Sequence, residues 1–369
     1  MILKNNKEII VPDLFQEFIS DSSSFKICNN NDIQNLNKIS KDIKNGKFIV
    51  IEKASFSNIS KLYDFVNKKI DEFIPHELIA SLRSKSNTRS KKFIYEKKKK
   101  NILDQILILG VNNNITTFDD KDKIQNLIYF CGSSFKYSDE SFLLPFRFYN
   151  NLVKKLNESI YVKVAEAEFR TGINVLLPKS QETYQLFKRS IEEQQLKSDL
   201  EILDMGCGSG VISYILNNQI ENSNICFTDI LPESIASTLL NLEISKTSTN
   251  KLIAMNPGSL YENIDLKFDL IVFNPPWIDA RSSNRSELAL NDKDQSTVKE
   301  FLSKSKEHLN PSGKILLGFS DNSGDKAVEL FEKNIADNNY KILNIFSDKI
   351  QSYQSGRKWM KIFVYVLQH

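Results

Sequence analysis

Short apolar runs alternate with stretches of helical period through the second half of the chain. The runs at 200–205, 224–228, 251–255, 268–273, 314–319, 342–346 and 359–366 read as strands. Residues 210–217, 232–245, 295–308 and 326–337 read as helices. Strand and helix in turn predict an α/β class with a doubly wound, mostly parallel sheet. The last run follows its neighbour with no convincing helix between them, which predicts an antiparallel insertion.

The first half is patterned less regularly. Helical periodicity marks 13–19 and 33–43, and a strand follows a glycine turn at 46–52. Leu62, Phe65, Val66, Ile70 and Phe73 define one helix face within 60–73. Residues 102–110 read as a strand, 121–130 as a helix and 146–156 as a helix or linker. This half is therefore mixed α/β and not a helical bundle. Residues 82–100 are rich in Lys and Arg, with Phe93 and Tyr95 interrupting the run. Such a segment is either a solvated loop or a surface that grips phosphates and stacks on bases.

A domain boundary is expected near Ser159, giving a recognition domain over 1–158 and a catalytic domain over 159–369. Residues 160–164 alternate as a strand should. Val175-Leu176-Leu177-Pro178 then leads into a helix with Ser180 as its expected N-cap. That places an approach loop just before the catalytic sheet.

Composition narrows the classes. The 369 residues suit two domains, and 41% hydrophobic residues are enough for real cores. A net charge of +3 demands no polyanionic partner on bulk grounds. Cys28, Cys131, Cys207 and Cys226 are scattered with no CxxC pair, which fits a reducing, cytoplasmic setting and argues against zinc. The three histidines are far apart, so no metal site is expected. No apolar run approaches the roughly 20 residues that span a bilayer, and the N-terminus lacks a signal-peptide pattern. No membrane partner is expected.

The chemistry concentrates between 201 and 277. Asp204-Met205-Gly206-Cys207-Gly208-Ser209-Gly210 is a glycine loop between an apolar run and a helical stretch. Glycines let the backbone approach a ligand closely, and the next helix offers its first amides to polar groups. Asp229 ends the second strand, where a carboxylate can accept both hydroxyls of a ribose or cap the helix from Pro232. Asn274-Pro275-Pro276-Trp277 ends a buried strand. Its prolines stop the ladder and stiffen the turn. The Asn274 carboxamide oxygen and the Pro275 carbonyl can each accept one N–H of a planar amino group, and Trp277 can stack on the group that carries it. The plain structural reading is a strand-ending turn with Trp277 in the core.

On these motifs, residues 160–366 resemble the class I S-adenosylmethionine-dependent methyltransferases of the Asn-Pro-Pro-aromatic type, which methylate amino nitrogens. The resemblance implies a seven-stranded Rossmann-like methyltransferase sheet with an additional N-terminal α/β domain. It implies S-adenosyl-L-methionine as cofactor, with Asp204, Gly206, Cys207, Gly208 and Gly210 around the methionine part. Asp229 would hold the ribose, with Ile230, Ser259, Leu260 and Asn274 completing the cofactor site. Ser259 stands where these enzymes often carry an Asp that contacts the adenine amine, and Trp277 replaces the commoner Tyr or Phe. Asn274, Pro275, Pro276 and Trp277 would form the catalytic clamp.

Two branches of that family compete. The stretch from Val175 to Thr183 is similar to the Val-Leu-Ile-Pro-Arg-Pro-x-Thr of release-factor glutamine methyltransferases, with Lys179 and Ser180 in place of Arg-Pro. Chain length, the mixed α/β first half and His308-Leu309-Asn310-Pro311-Ser312-Gly313 are similar to the ribosomal RNA guanine-N2 methyltransferases. Partners are accordingly a protein glutamine or an RNA base, with DNA adenine or a small metabolite presenting the same planar nitrogen. Arg281, Arg285 and Glu287 are expected at the substrate rim. A non-catalytic binding module on the same fold would lack cofactor binding. An oxidoreductase would prefer GxGxxG, which this loop does not have.

Overall fold

The computed structural model describes residues 2–3, 7–12, 15–16, 19, 24–83, 89–111, 114–118, 124, 127–132, 141–245, 248–352 and 358–369. The chain forms two compact units, Met1–Lys154 and Lys155–His369.

The N-terminal unit holds strands β1 (Ile2–Leu3), β2 (Lys7–Ile10), β3 (Phe25–Asn29), β4 (Phe48–Lys53), β5 (Ile106–Val111), β6 (Asn114–Ile115) and β7 (Ser141–Pro145). Its helices are α1 (Asn30–Gln34), α2 (Leu36–Lys44), α3 (Phe56–Lys68), α4 (His76–Arg83), α5 (Arg89–Leu103), α6 (Leu127–Phe130) and α7 (Phe146–Leu156). The strands order β1-β2-β7-β5-β4-β3, with β6 beside β5. Strands β3, β4 and β5 run parallel, and β7 runs antiparallel to β5. Ile49, Val50, Ile51, Ile106, Leu107 and Ile108 are fully buried, which accounts for their unbroken apolar runs.

Several expectations shift here. The periodicity of 33–43 covers two helices, α1 and α2, divided at Asn35, whose side chain caps the second. Most of 13–19 and 121–126 lies outside the described residues, and only α6 is seen of the helix expected at 121–130. The basic stretch is no loop from Arg89 onward. It is helix α5, which runs to Leu103, so β5 starts later than the apolar pattern predicts. Residues 84–88 of that stretch lie outside the described residues.

The C-terminal unit opens with an antiparallel pair, β8 (Ser159–Val162) and β9 (Ala167–Arg170). It continues through α8 (Gln181–Glu192), β10 (Glu201–Met205), α9 (Val211–Gln219), β11 (Asn224–Thr228), α10 (Pro232–Leu242), β12 (Lys251–Ala254) and β13 (Phe268–Phe273). It ends with α11 (Ser296–Ser305), β14 (Leu309–Ser320), α12 (Asp325–Asp337), β15 (Lys341–Gln351) and β16 (Trp359–Gln368). The seven-stranded sheet has the order β12-β11-β10-β13-β14-β16-β15. Its first five strands are parallel, and β16 inserts antiparallel between β14 and β15. The winding goes outward from β10 to β12 and then back to β13 and β14. Right-handed crossovers then put the intervening helices on opposite faces. Helices α8, α9 and α10 form one row, and α11 packs on α12 in the other. Phe301 and Phe331, from the second row, close on Phe273 and Phe319 of the sheet at ring distances of 4.7 and 4.1 Å. Strand order reverses between β10 and β13, where open α/β sheets place their ligands.

Candidate active site

The parallel register fixes the site. Met205 pairs with Thr228 on one side and Phe273 on the other. The residues that follow, Gly206, Asp229 and Asn274, therefore leave three adjacent strands at one level. The glycine loop, the acidic residue and the Asn-Pro-Pro-Trp turn meet there.

Three positive-φ glycines shape the loop: Gly206 at 66°, Gly208 at 54° and Gly210 at 80°. A Cβ at Gly206 would press on the Phe273 ring at 3.1 Å, and one at Gly210 would lie 2.8 Å from the Thr238 backbone. A Cβ at Gly208 would meet little but its own loop, so only the backbone turn demands glycine there. Asp229 holds the loop: its Oδ2 accepts the Gly208 amide at 3.0 Å and its Oδ1 accepts the Leu231 amide at 2.8 Å. It thus also caps the approach to α10. Burial pushes its carboxyl up to about 6 against these bonds, although the residue still reaches solvent. Ile230 beside it is half exposed at 50%.

Asp204 lies below the loop and is fully buried. Its Oδ2 accepts the Ser213 hydroxyl at 2.6 Å, while Oδ1 has no partner. Burial is the main cause that raises this carboxyl to about 7. Cys207 is buried too; its amide donates to the Thr228 carbonyl at 2.9 Å, and burial pushes its thiol well up. Ser259 is exposed, and its amide donates to Glu262 Oε2 at 2.9 Å. Leu260 turns its side chain into the core, with φ at 50°. Only the Leu260 backbone can therefore face a ligand.

In the turn after β13, the Asn274 carboxamide oxygen is buried with no partner, as is the Trp277 indole nitrogen. Pro275 is buried and Pro276 half-buried. Gly318 of β14 makes room for Asn274: a Cβ there would sit 2.6 Å from its Oδ1 and 2.8 Å from the Phe187 ring. The Ser323 hydroxyl donates to the Trp277 carbonyl at 3.1 Å and accepts the Asp279 amide at 3.1 Å. The ring of Trp277 packs on the core edge.

Sequence patterns alone missed the support of this site. Helix α10 buries a polar stripe, Ser234, Ser237, Thr238 and Asn241, against the loops. Asn241 donates to the Ser209 and Arg170 carbonyls at 2.9 and 2.7 Å and accepts the Arg170 amide at 3.0 Å. Ser237 accepts the Gly172 amide at 3.0 Å. The signal was helical spacing of small polar residues, which ordinarily reads as a solvent face. Glu233, fully buried, accepts from Asn174 at 3.1 Å and from Arg285 at 2.9 Å. It thereby joins the approach loop and the segment after the clamp to α10. Of the rim residues, Arg285 is engaged in this pair, and Glu287 closes a local turn through Ser283 and Asn284. Ser180 does precede α8, but its hydroxyl bonds that of Thr183 and caps no amide. Among the described residues no group of His, Cys, Asp and Glu could hold a metal, and no helix is long and apolar enough to cross a membrane.

Residues 185–344 match the sequence model of the methyltransferase small domain. The release factor glutamine methyltransferase of Lactococcus lactis is 28% identical over 208 residues, 52% of this chain and 74% of that protein. The protein of the same name from Haemophilus influenzae is 29% identical over 149 residues, 36% of this chain and 50% of its own length. The ribosomal RNA small subunit methyltransferase C of Haemophilus influenzae is 33% identical over 150 residues, 40% of this chain and 37% of its own length. The chain thus spans half or less of the second and third relatives. The switch-point loop, the strand-end Asp229 and the Asn-Pro-Pro-Trp turn all lie inside the residues that match the methyltransferase small domain.

Proposed function

We propose that the C-terminal unit moves a methyl group from S-adenosylmethionine to a planar nitrogen of a protein glutamine or an RNA base. The reading is carried by one juxtaposition: the buried, unpartnered Asn274 oxygen leaves β13 at the level of the positive-φ glycine loop on β10. When bound, S-adenosylmethionine supplies an electrophilic methyl. The chain fits it on three counts: backbone room at Gly208, a carboxylate at Asp229 for a diol, and the exposed apolar Ile230 beside it. Cys207, Gly210 and the Leu260 backbone complete that cradle, while buried Asp204 holds α9 in place through Ser213. Ser259 stands at the adenine side.

Asn274 and the Pro275 carbonyl hold the acceptor. A planar amino nitrogen is a poor nucleophile because its lone pair is delocalised. Two acceptor bonds localise that pair and aim it; as the C–N bond forms the sulfur keeps the electron pair of the C–S bond, and the surplus N–H proton leaves to solvent afterwards, so catalysis is mostly positioning. The Pro275-Pro276 pair stiffens the clamp and Trp277 packs beside the flat acceptor.

Asn274→Ala is expected to retain S-adenosylmethionine binding by calorimetry and to lose turnover by about two orders of magnitude or more. Turnover is read as labelled methyl entering protein, RNA or small-molecule fractions of a cell extract. Normal turnover in that variant overturns the clamp. Absence of cofactor binding in the unaltered chain would favour a binding module that kept the fold.

A further inference from the structure

We propose that α5 of the N-terminal unit is a docking ridge for the phosphate backbone of single-stranded RNA. Resting on the methyl-transfer reading above, it makes RNA the acceptor. Lys92, Lys97, Lys98 and Lys100 are exposed on this helix, and Lys99 is half-buried. Glu96 is the helix's single acid. Among the described residues, Lys92, Lys97, Lys98 and Lys99 form no ion pair. Phe93 stands 69% exposed within this row, and Ile94 is 46% exposed.

The helix is costly as a free element. Like charges three and four apart destabilise a helix, as Lys97 and Lys100 do here. An exposed Phe93 adds nothing to a core. Tyr95, donating to Asp71 Oδ1 at 2.7 Å, and buried Leu103 tether one side of the helix and leave the face of Phe93, Lys97 and Lys100 outward, with Lys92 and Lys98 exposed at its flanks. A polyanion offsets the charge repulsion, and an unpaired base covers the ring of Phe93.

Geometry favours one strand. Lys92 and Lys100 are about 12 Å apart along the axis, which faces roughly three or four phosphates of a single strand. Stacking on Phe93 requires a base free of its pairing partner. A membrane surface is disfavoured, because Phe93 and Ile94 are neighbours and the next positions on their faces are Glu96, Lys97 and Lys98. No apolar stripe exists to enter lipid.

The test uses the full chain and a labelled 20-nucleotide single-stranded RNA, with its duplex, the equivalent DNA and phosphatidylserine vesicles as competitors. Anisotropy is followed as salt is raised. The single-stranded RNA is expected to bind best. The variant Lys92→Gln/Lys97→Gln/Lys98→Gln/Lys100→Gln should lose at least tenfold in affinity near 0.1 M salt. Its log–log salt slope should flatten by about 3, roughly 0.7 for each phosphate contact. Phe93→Ala should lose about tenfold with the slope unchanged, since stacking releases no counterion. Unchanged affinity and slope in the quadruple variant, with circular dichroism unchanged, overturn the ridge. So do tighter binding of DNA or duplex, and vesicle binding without RNA binding. Calorimetry with S-adenosylmethionine on the same samples separates the two claims. Loss of cofactor binding alone removes the methyl-transfer reading and the acceptor assignment, not the ridge.

Discussion

Ionising Asp204 means charging a carboxyl sealed from water, with one oxygen on Ser213 and the other on nothing. Its pKa rises from 3.8 to about 7 for that reason. A raised carboxyl favours the folded state only while it is protonated there. Its stabilising contribution is therefore fully present below about pH 4 and is lost as pH climbs to about 7. Within that window the slope approaches about 1.4 kcal/mol per pH unit. Asp204→Asn should remove most of this slope in urea unfolding followed between pH 4 and 7. A smaller slope of the same sign should remain from Asp229, which is raised to about 6. A variant with the full slope intact would show that Asp204 is not the titrating group. Gly318, on the neighbouring strand, leaves the space that the Asn274 carboxamide occupies.

Helix α10 braces loops that lie far apart in the chain. Its first turn carries Glu233, which engages Asn174 and Arg285, and its last carries Asn241, which engages Arg170 and Ser209. Between them Ser237 and Thr238 meet the loops at Gly172 and Gly208. Asn241→Ala would strand two carbonyls and one amide that are now satisfied. A cost of about 3 kcal/mol follows, since each orphaned buried group costs about 1–3 kcal/mol and relaxation recovers part. Urea unfolding should record that loss, accompanied by weaker S-adenosylmethionine binding as the glycine loop loosens. A stability change below about 0.5 kcal/mol would mean that water replaces the side chain.

At the scale of the molecule, two units with separate cores need not unfold together. The cofactor cradle proposed above lies in the C-terminal unit. With S-adenosylmethionine at 100 times its Kd, that unit should gain about 2.7 kcal/mol. Its transition should rise by roughly 5–10 °C in calorimetry, while the N-terminal transition stays in place. Asp229→Ala should abolish the shift. An equal shift of both transitions would mean that the units unfold as one.

The sequence determined what depends on neighbours along the chain. The strands at 224–228 and 268–273 and the antiparallel last strand are legible because buried strands need unbroken apolar runs and parallel strands need crossovers. The glycine loop and the Asn-Pro-Pro-Trp turn are legible because each is contiguous. Tertiary structure alone decided the rest. Asp229 and Asn274 flank the loop only because β11 and β13 both pair with β10 in matched register. The polar stripe of α10 and the role of Gly318 are set by partners far away in sequence. The basic stretch hid a helix because charge periodicity carries no burial signal, so its helical form became visible only once folded.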